Sequence, residues 1–201
     1  MPASLAGKLE IFNMALGFCG CRTVGSPNER TPEAIQCGLF WDRARRSALR
    51  DYPWSWATRR FRLPEKDLPE VYASEWRHAY GLPDGVLRVM RVHKPRMRGD
   101  YLEPFRLERG DEGEIILCDV PQAMATCIVD VEDMTTWDDA FCLCLARKLA
   151  CLIVVPLLKN SSGKVSELEQ LYHASLPQTA GLDSAERRGE QQPDSWLAAR
   201  G

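Results

Sequence analysis

Histidine is scarce: the 201-residue chain has three, His78, His93 and His173. They lie far apart in sequence, and none stands beside a patterned nucleophile or a carboxylate pair, so the spacing of a hydrolytic triad is missing. There is no Gly-x-x-x-x-Gly-Lys-Ser/Thr phosphate loop, no Gly-x-Gly-x-x-Gly, no His-Glu-x-x-His and no Gly-x-Ser-x-Gly. Eight cysteines are present, none in the Cys-x-x-Cys spacing of zinc and thioredoxin-like sites. Cys-x-Cys occurs at Cys19-Gly-Cys21 and Cys142-Leu-Cys144, without histidines at ligand spacing. Most of the thiols have apolar neighbours and are expected to behave as small buried hydrophobes, which suits a reducing cytoplasm. No metal ligand, cofactor-binding residue or catalytic residue is expected.

Long apolar runs are also missing. The stretch from Ala140 to Leu158 is broken by Arg147-Lys148, and its uninterrupted part is about half of the roughly 20 residues that a membrane span requires. It is expected to be a core helix, with no membrane partner. Lys8 and Glu10 interrupt the first apolar stretch, so no secretory signal is expected. A hydrophobic content of 45% suffices for a core without metal or disulfide staples.

Net charge is small, −2, but unevenly spread. From Asp42 to Arg62, arginines 43, 45, 46, 50, 59, 60 and 62 face only Asp42 and Asp51. A second basic run covers Arg88, Arg91, Lys94, Arg96 and Arg98, and the segment from Asp100 to Asp139 inverts the sign, with acids including Asp111, Glu112 and Glu114 against Arg106 and Arg109. Such runs are either ordinary solvated faces or unlike faces suited to head-to-tail self-association. Arg43, Arg46 and Arg50 fall on one helix face by their spacing.

Hydrophobic periodicity predicts a helix over residues 4–17 through Leu5, Leu9, Phe12 and Leu16, ended by Gly17 and Gly20. Thr31-Pro-Glu-Ala predicts the start of a second, with Thr31 as N-cap and Ala34, Cys37, Trp41, Ala44 and Ala48 on its buried stripe, as far as about Asp51. Pro53-Trp-Ser-Trp56 makes an irregular corner. Short β-like runs follow at 85–92, 101–107, 114–120 and 125–131, with a hairpin tip or loop at 106–113. Helical spacing returns at Asp138–Val155, ended or kinked at Pro156, and again from Ser161-Ser162 until Pro177 interrupts or bends it. The expected fold is α+β: a helical bundle core of about four helices with an inserted small antiparallel sheet. Residues 1–59 and 137–176 form the core, 60–136 the insertion and 177–201 a flexible tail, in which Trp196-Leu197 is placed to dock on a partner.

Four segments occur in an informative order: Ile11-Phe-Asn-Met-Ala-Leu-Gly17; Leu49-Arg-Asp-Tyr-Pro-Trp-Ser-Trp-Ala-Thr-Arg-Arg60; Trp76-Arg-His-Ala-Tyr-Gly-Leu-Pro83 with Leu87-Arg-Val89; and Phe141 followed by Leu145-Ala-Arg-Lys-Leu-Ala150. Together they resemble the tail tubular protein A family of podoviruses over about residues 5–176, and Asp-Tyr-Pro-Trp-Ser-Trp-Ala-Thr is the most specific piece. The resemblance implies a structural head-to-tail adaptor of a short-tailed phage virion. It would form a ring of 12 copies between the portal protein and the tail nozzle (tail tubular protein B), assemble in the host cytoplasm, and pass DNA through its channel. Relatives carry a β-rich insertion in a helical core and a long continuous C-terminal helix, from which Pro177 departs. On this reading Arg43, Arg45, Arg46, Arg50, Asp111, Glu112, Trp196 and Leu197 are expected at subunit or portal interfaces. The competing expectations are a nucleic-acid-binding module using the Arg43–Arg62 region and, more remotely, a cell-wall hydrolase with Glu114 as its acid.

Overall fold

The computed structural model describes residues 7–95, 103–110, 113–158 and 162–188, with side chains as far as 176 in the last segment. The fold is α+β, with four helices and two small antiparallel sheets. The chain divides into two compact units, one built from the segments up to Trp56 and from Glu132 onward, the other from Ala57–Val131.

The helical unit is organised by its third helix. Helices α1 (Lys8–Cys19), α2 (Pro32–Asp51) and α4 (Ser162–Arg188) all pack against α3 (Asp139–Leu157), while α1 and α2 touch each other only lightly. That central position explains why α3 reads as nearly continuous apolar sequence. By length and composition alone it could cross a membrane. Its Phe141, Leu145, Leu149 and Ile153 are instead fully buried among the other helices, and Lys148 pairs with Asp51 at the end of α2, Nζ to Oδ2 at 3.0 Å. The Tyr172 hydroxyl of α4 donates to the same carboxylate at 2.7 Å, and the Lys148 ammonium lies 4.4 Å from the Tyr172 ring centroid. One carboxylate thus ties three helices together.

The helix ends follow their local chemistry. Gly20, at φ 74°, caps α1 in the left-handed region where a side chain would be strained, so α1 runs through Gly17 instead of ending there. Thr31 caps α2, accepting from the Ala34 amide at 3.4 Å, with Pro32 in the first turn. Asp138 caps α3, accepting from the Phe141 amide at 2.6 Å through Oδ1, and its Oδ2 accepts from the Trp56 indole N–H at 3.0 Å. Because one side chain serves both contacts, Asp138→Ala is expected to lower stability by about 2 kcal/mol. Asp138→Asn, which keeps an acceptor for the cap, should lose less than half of that in chemical denaturation; equal losses would refute the capping role.

The two prolines expected to end or bend helices both sit inside them. Pro156 occupies the last turn of α3, and α4 runs through Pro177 to Arg188. A proline removes one amide donor and crowds the preceding turn. Near the end of α3 the loss is small, and Leu158 N–H still closes the helix on the Val154 carbonyl at 2.9 Å. Before Pro177, α4 is held on one side by Leu168, Tyr172 and Ser175, which are buried at steps of four and three.

A chain of aromatic rings fills the space between α2 and α3. Phe12 meets Trp41 at 5.5 Å between centroids, Trp41 meets Trp137 at 6.2 Å, and Trp137 meets Phe141 at 5.1 Å. Phe141 in turn lies 5.1 Å from Trp54 and 5.0 Å from Trp56. Trp54 is fully buried and donates its indole N–H to the Ala48 carbonyl at 3.1 Å. The Pro-Trp-Ser-Trp corner is therefore a plug in the helical core.

The β unit has two sheets where the sequence suggested one. Strands β1 (Thr58–Arg62), β7 (Met124–Val129) and β4 (Val86–His93) form the first, in the order β1-β7-β4. Strands β2 (Glu65–Lys66), β3 (His78–Gly81), β6 (Gly113–Cys118) and β5 (Phe105–Gly110) form the second, in the order β2-β3-β6-β5. A core containing Tyr80, Val89, Val92, Ile116, Ala125 and Cys127 draws on both sheets, and the Tyr80 hydroxyl donates to the Val120 carbonyl at 2.7 Å. On the other face of the second sheet, Ala79, Ile115 and Leu117 are covered by Leu68, Tyr72 and Trp76. Strand β6 is thus buried on both faces, which is why Ile115-Ile-Leu-Cys118 shows no alternation. The segment read as a hairpin tip or loop over 106–113 is the end of the β5–β6 hairpin, with more of it in strand than expected: Arg106–Gly110 pair with Gly113–Leu117, and residues 111–112 lie outside the described residues.

Candidate functional site

The four arginines expected at an interface do not stand together. Arg43, Arg46 and Arg50 are exposed on one face of α2, whereas Arg45 is 2% exposed. Its guanidinium lies 3.4 Å from Glu132 and 3.7 Å from Asp42, inside the helical unit. Arg45 is one turn beyond Trp41 on the buried stripe, which is the physical reason it turns inward. Charge reversal there would place a carboxylate in the core beside two others, and Arg45→Glu is expected to cost ~3 kcal/mol or more of stability, read as a fall in denaturation midpoint. An interface test therefore belongs at Arg43 and Arg46.

The acidic run is divided between the two units. Among the described residues, Glu103 pairs with Lys94 at 3.3 Å, Glu108 with Arg106 at 2.6 Å, and Glu132 with Arg45. Asp119 accepts from the Arg77 amide at 3.1 Å, Asp133 from the Thr135 amide at 3.0 Å, and Asp138 caps α3. Most of these carboxylates serve local structure in one unit or the other. Asp111, Glu112, Trp196 and Leu197 lie outside the described residues.

Glu114 lines a groove in the β unit of about 690 Å³, together with Asp67 and Asp84. Its apolar part includes Leu82, Pro83 and Ile115, and Lys66 is its one described cation. Gly85, at φ 73°, shapes the turn from β3 to β4 beside it, a conformation that favours glycine. Arg109 is opposite Glu114 in the β5–β6 register, and Glu114 makes no ion pair among the described residues. The sequence singles out Glu114 alone of these carboxylates, because Asp67 and Asp84 reach the same groove from separate loops.

The outer face of α2 was also incompletely read. Ile35 and Leu39 are 56% and 71% exposed, one turn apart, and they continue the line of Arg43, Arg46 and Arg50. They fall off the Ala34, Cys37 and Trp41 stripe, so a helical projection of the sequence already puts them outward.

The histidines remain apart in their environments. His78 Nδ1 lies 3.1 Å from Glu65, His93 Nδ1 lies 3.1 Å from the Lys94 carbonyl, and the His173 ring meets Tyr172 edge-on at 5.4 Å. No group of three or more histidine, cysteine or acidic side chains able to hold a metal occurs among the described residues. Of the eight thiols, Cys21 and Cys151 are partly accessible and the rest are buried. Burial is the largest cause holding all eight in the neutral form, and it pushes Cys19, Cys37 and Cys142 up to about 12. A thiol so held is a poor nucleophile and a poor metal ligand.

The chain matches no model of a known protein family. No significant similarity to a curated protein is found.

Proposed function

We propose that the protein is a structural head-to-tail adaptor of a short-tailed phage, a non-enzymatic ring subunit between portal and tail nozzle. The observation that carries this reading is α4, which continues through Pro177 as a single helix of 27 residues. At a rise of 1.5 Å per residue it is about 40 Å long. A long uninterrupted C-terminal helix is what the resemblance to tail tubular protein A implies, and Pro177 had been its one departure. The division into a helical unit with a β unit inserted between Trp56 and Glu132 agrees with the same expectation. The Asp-Tyr-Pro-Trp-Ser-Trp-Ala-Thr segment supplies the buried Trp54 plug and then the start of β1, so its residues are accounted for by folding alone.

Mass determination and negative-stain imaging of the protein, alone and mixed with the portal protein of the same virus, test the proposal. Rings, or rings that form only on the portal, are expected. A monomer that ignores the portal would remove it. The nucleic-acid reading retains one favourable observation, the exposed row Arg43, Arg46 and Arg50. Duplex DNA binding that falls steeply with salt would support it.

A further inference from the structure

We infer that the outer face of α2 is a self-association surface whose partner is the acidic groove of the β unit in a second copy of this chain. The inference rests on the ring reading and gives it a specific contact. The α2 face is convex: Ile35 and Leu39 project at its N-terminal half and Arg43, Arg46 and Arg50 at its C-terminal half. Asp42, at the margin, is drawn toward Arg45. The groove is lined by the partly exposed apolar Leu82, Pro83 and Val86 and by Asp67, Asp84 and Glu114 against one described cation, Lys66. Apolar side chains meet apolar lining and arginines meet a carboxylate excess, the arrangement by which an amphipathic helix is recognised in a groove.

A second copy fits better than an unrelated partner because the chain carries both halves of the match on different units. Two different patches that complement each other give a heterologous contact, and heterologous contacts repeat from copy to copy until a ring closes. A single helix seated in a groove this size falls below the ~1,200 Å² typical of stable complexes, so each contact alone is weak and assembly depends on concentration and on closure. Nucleic acid would engage the arginines and leave Ile35, Leu39 and the acidic groove unexplained.

Charge exchange tests the contact. Sedimentation velocity of the full chain should show concentration-dependent association that weakens between 50 mM and 500 mM salt, in the manner of exposed charges. The pair Arg43→Glu with Arg46→Glu, and separately the pair Asp84→Lys with Glu114→Lys, should each weaken association by ~10-fold or more with the circular dichroism of the folded chain retained. The chain carrying all four substitutions should regain association to within a few-fold of the original. Association of either pair at the original strength, failure of the combined chain to recover, or an original chain that stays monomeric at 200 µM (roughly the upper range for weak contacts) overturns the inference. So does loss of association on removing residues 189–201, which would assign the α2 face to the C-terminal segment. Portal capture is read separately on the same samples. Unchanged self-association with intact portal capture removes this contact and leaves the adaptor reading, whereas charge rescue without portal capture establishes the contact and removes the adaptor reading.

Discussion

Trp54→Ala is expected to lower stability by about 3–5 kcal/mol, enough to shift the melting temperature by roughly 10 °C in a protein of this size. The indole is fully buried, and it meets Tyr52 at 5.0 Å, Phe141 at 5.1 Å and Trp56 at 6.2 Å between ring centroids. Removing it leaves a cavity between the end of α2 and the start of α3 and strips Tyr52 and Phe141 of an edge contact and Trp56 of a tilted one. The Ala48 carbonyl also loses its N–H donor. Trp54→Phe separates these effects. It keeps most of the ring contacts and forfeits the hydrogen bond, so a loss near 1–2 kcal/mol is expected in urea denaturation. If Phe and Ala cost the same, packing is not what holds this corner. Neither substitution touches the outer face of α2, so residual folded protein should associate as the original does.

Raising the pH from 8 to 11 is expected to destabilise the protein steeply, with the fall beginning near pH 9. Burial raises Cys19, Cys37 and Cys142 from the ordinary 9.0 to about 12, and Cys127, Cys144 and Cys151 to about 11. Below pH 9 these thiols are protonated in both folded and unfolded chains, and their contribution is fully present. Above pH 9 the unfolded chain ionises first and binds fewer protons, so stability declines until the folded thiols themselves titrate at about 11–12. Each thiol that ionises only on unfolding steepens the decline by about 1.4 kcal/mol per pH unit. A handful acting together exceeds the ~5–15 kcal/mol by which domains are stable. Denaturation midpoints at half-unit pH steps measure the slope. The triple variant Cys37→Ala, Cys142→Ala, Cys144→Ala should flatten it, and an unchanged slope would show that other groups govern alkaline unfolding.

The charge runs illustrate where a linear reading fails. Arginines 43, 45, 46 and 50 are one run in sequence but two populations in space, because a helix turns 100° per residue and carries Arg45 onto the Trp41 side. The described acids between Glu103 and Asp139 lie on β5, β6, α3 and the turns between elements, and most of them find a local donor. The carboxylates that do converge, Asp67, Asp84 and Glu114, are scattered in the chain and meet only because β3 pairs with β6.

The sequence by itself determined the α+β class, the four helices and the start of each of the later three. These are properties of short windows: Thr31 and Asp138 cap the helix that follows them, and Trp41, Ala44 and Ala48 repeat at the helical period. It also determined that most of the cysteines are core residues, since their apolar neighbours share their fate. Only the tertiary structure decided that the strands split into two sheets, because β1 pairs with β7 and β3 with β6 across long sequence separations, and β1 and β2 are too short and too charged, and β3 too short, for periodicity to reveal. It decided that Pro177 lies within α4, where the packed turn of Leu168, Tyr172 and Ser175 carries the helix into the proline. It decided, finally, which charges face outward, since that depends on what stands opposite each side chain and not on its neighbours in the chain.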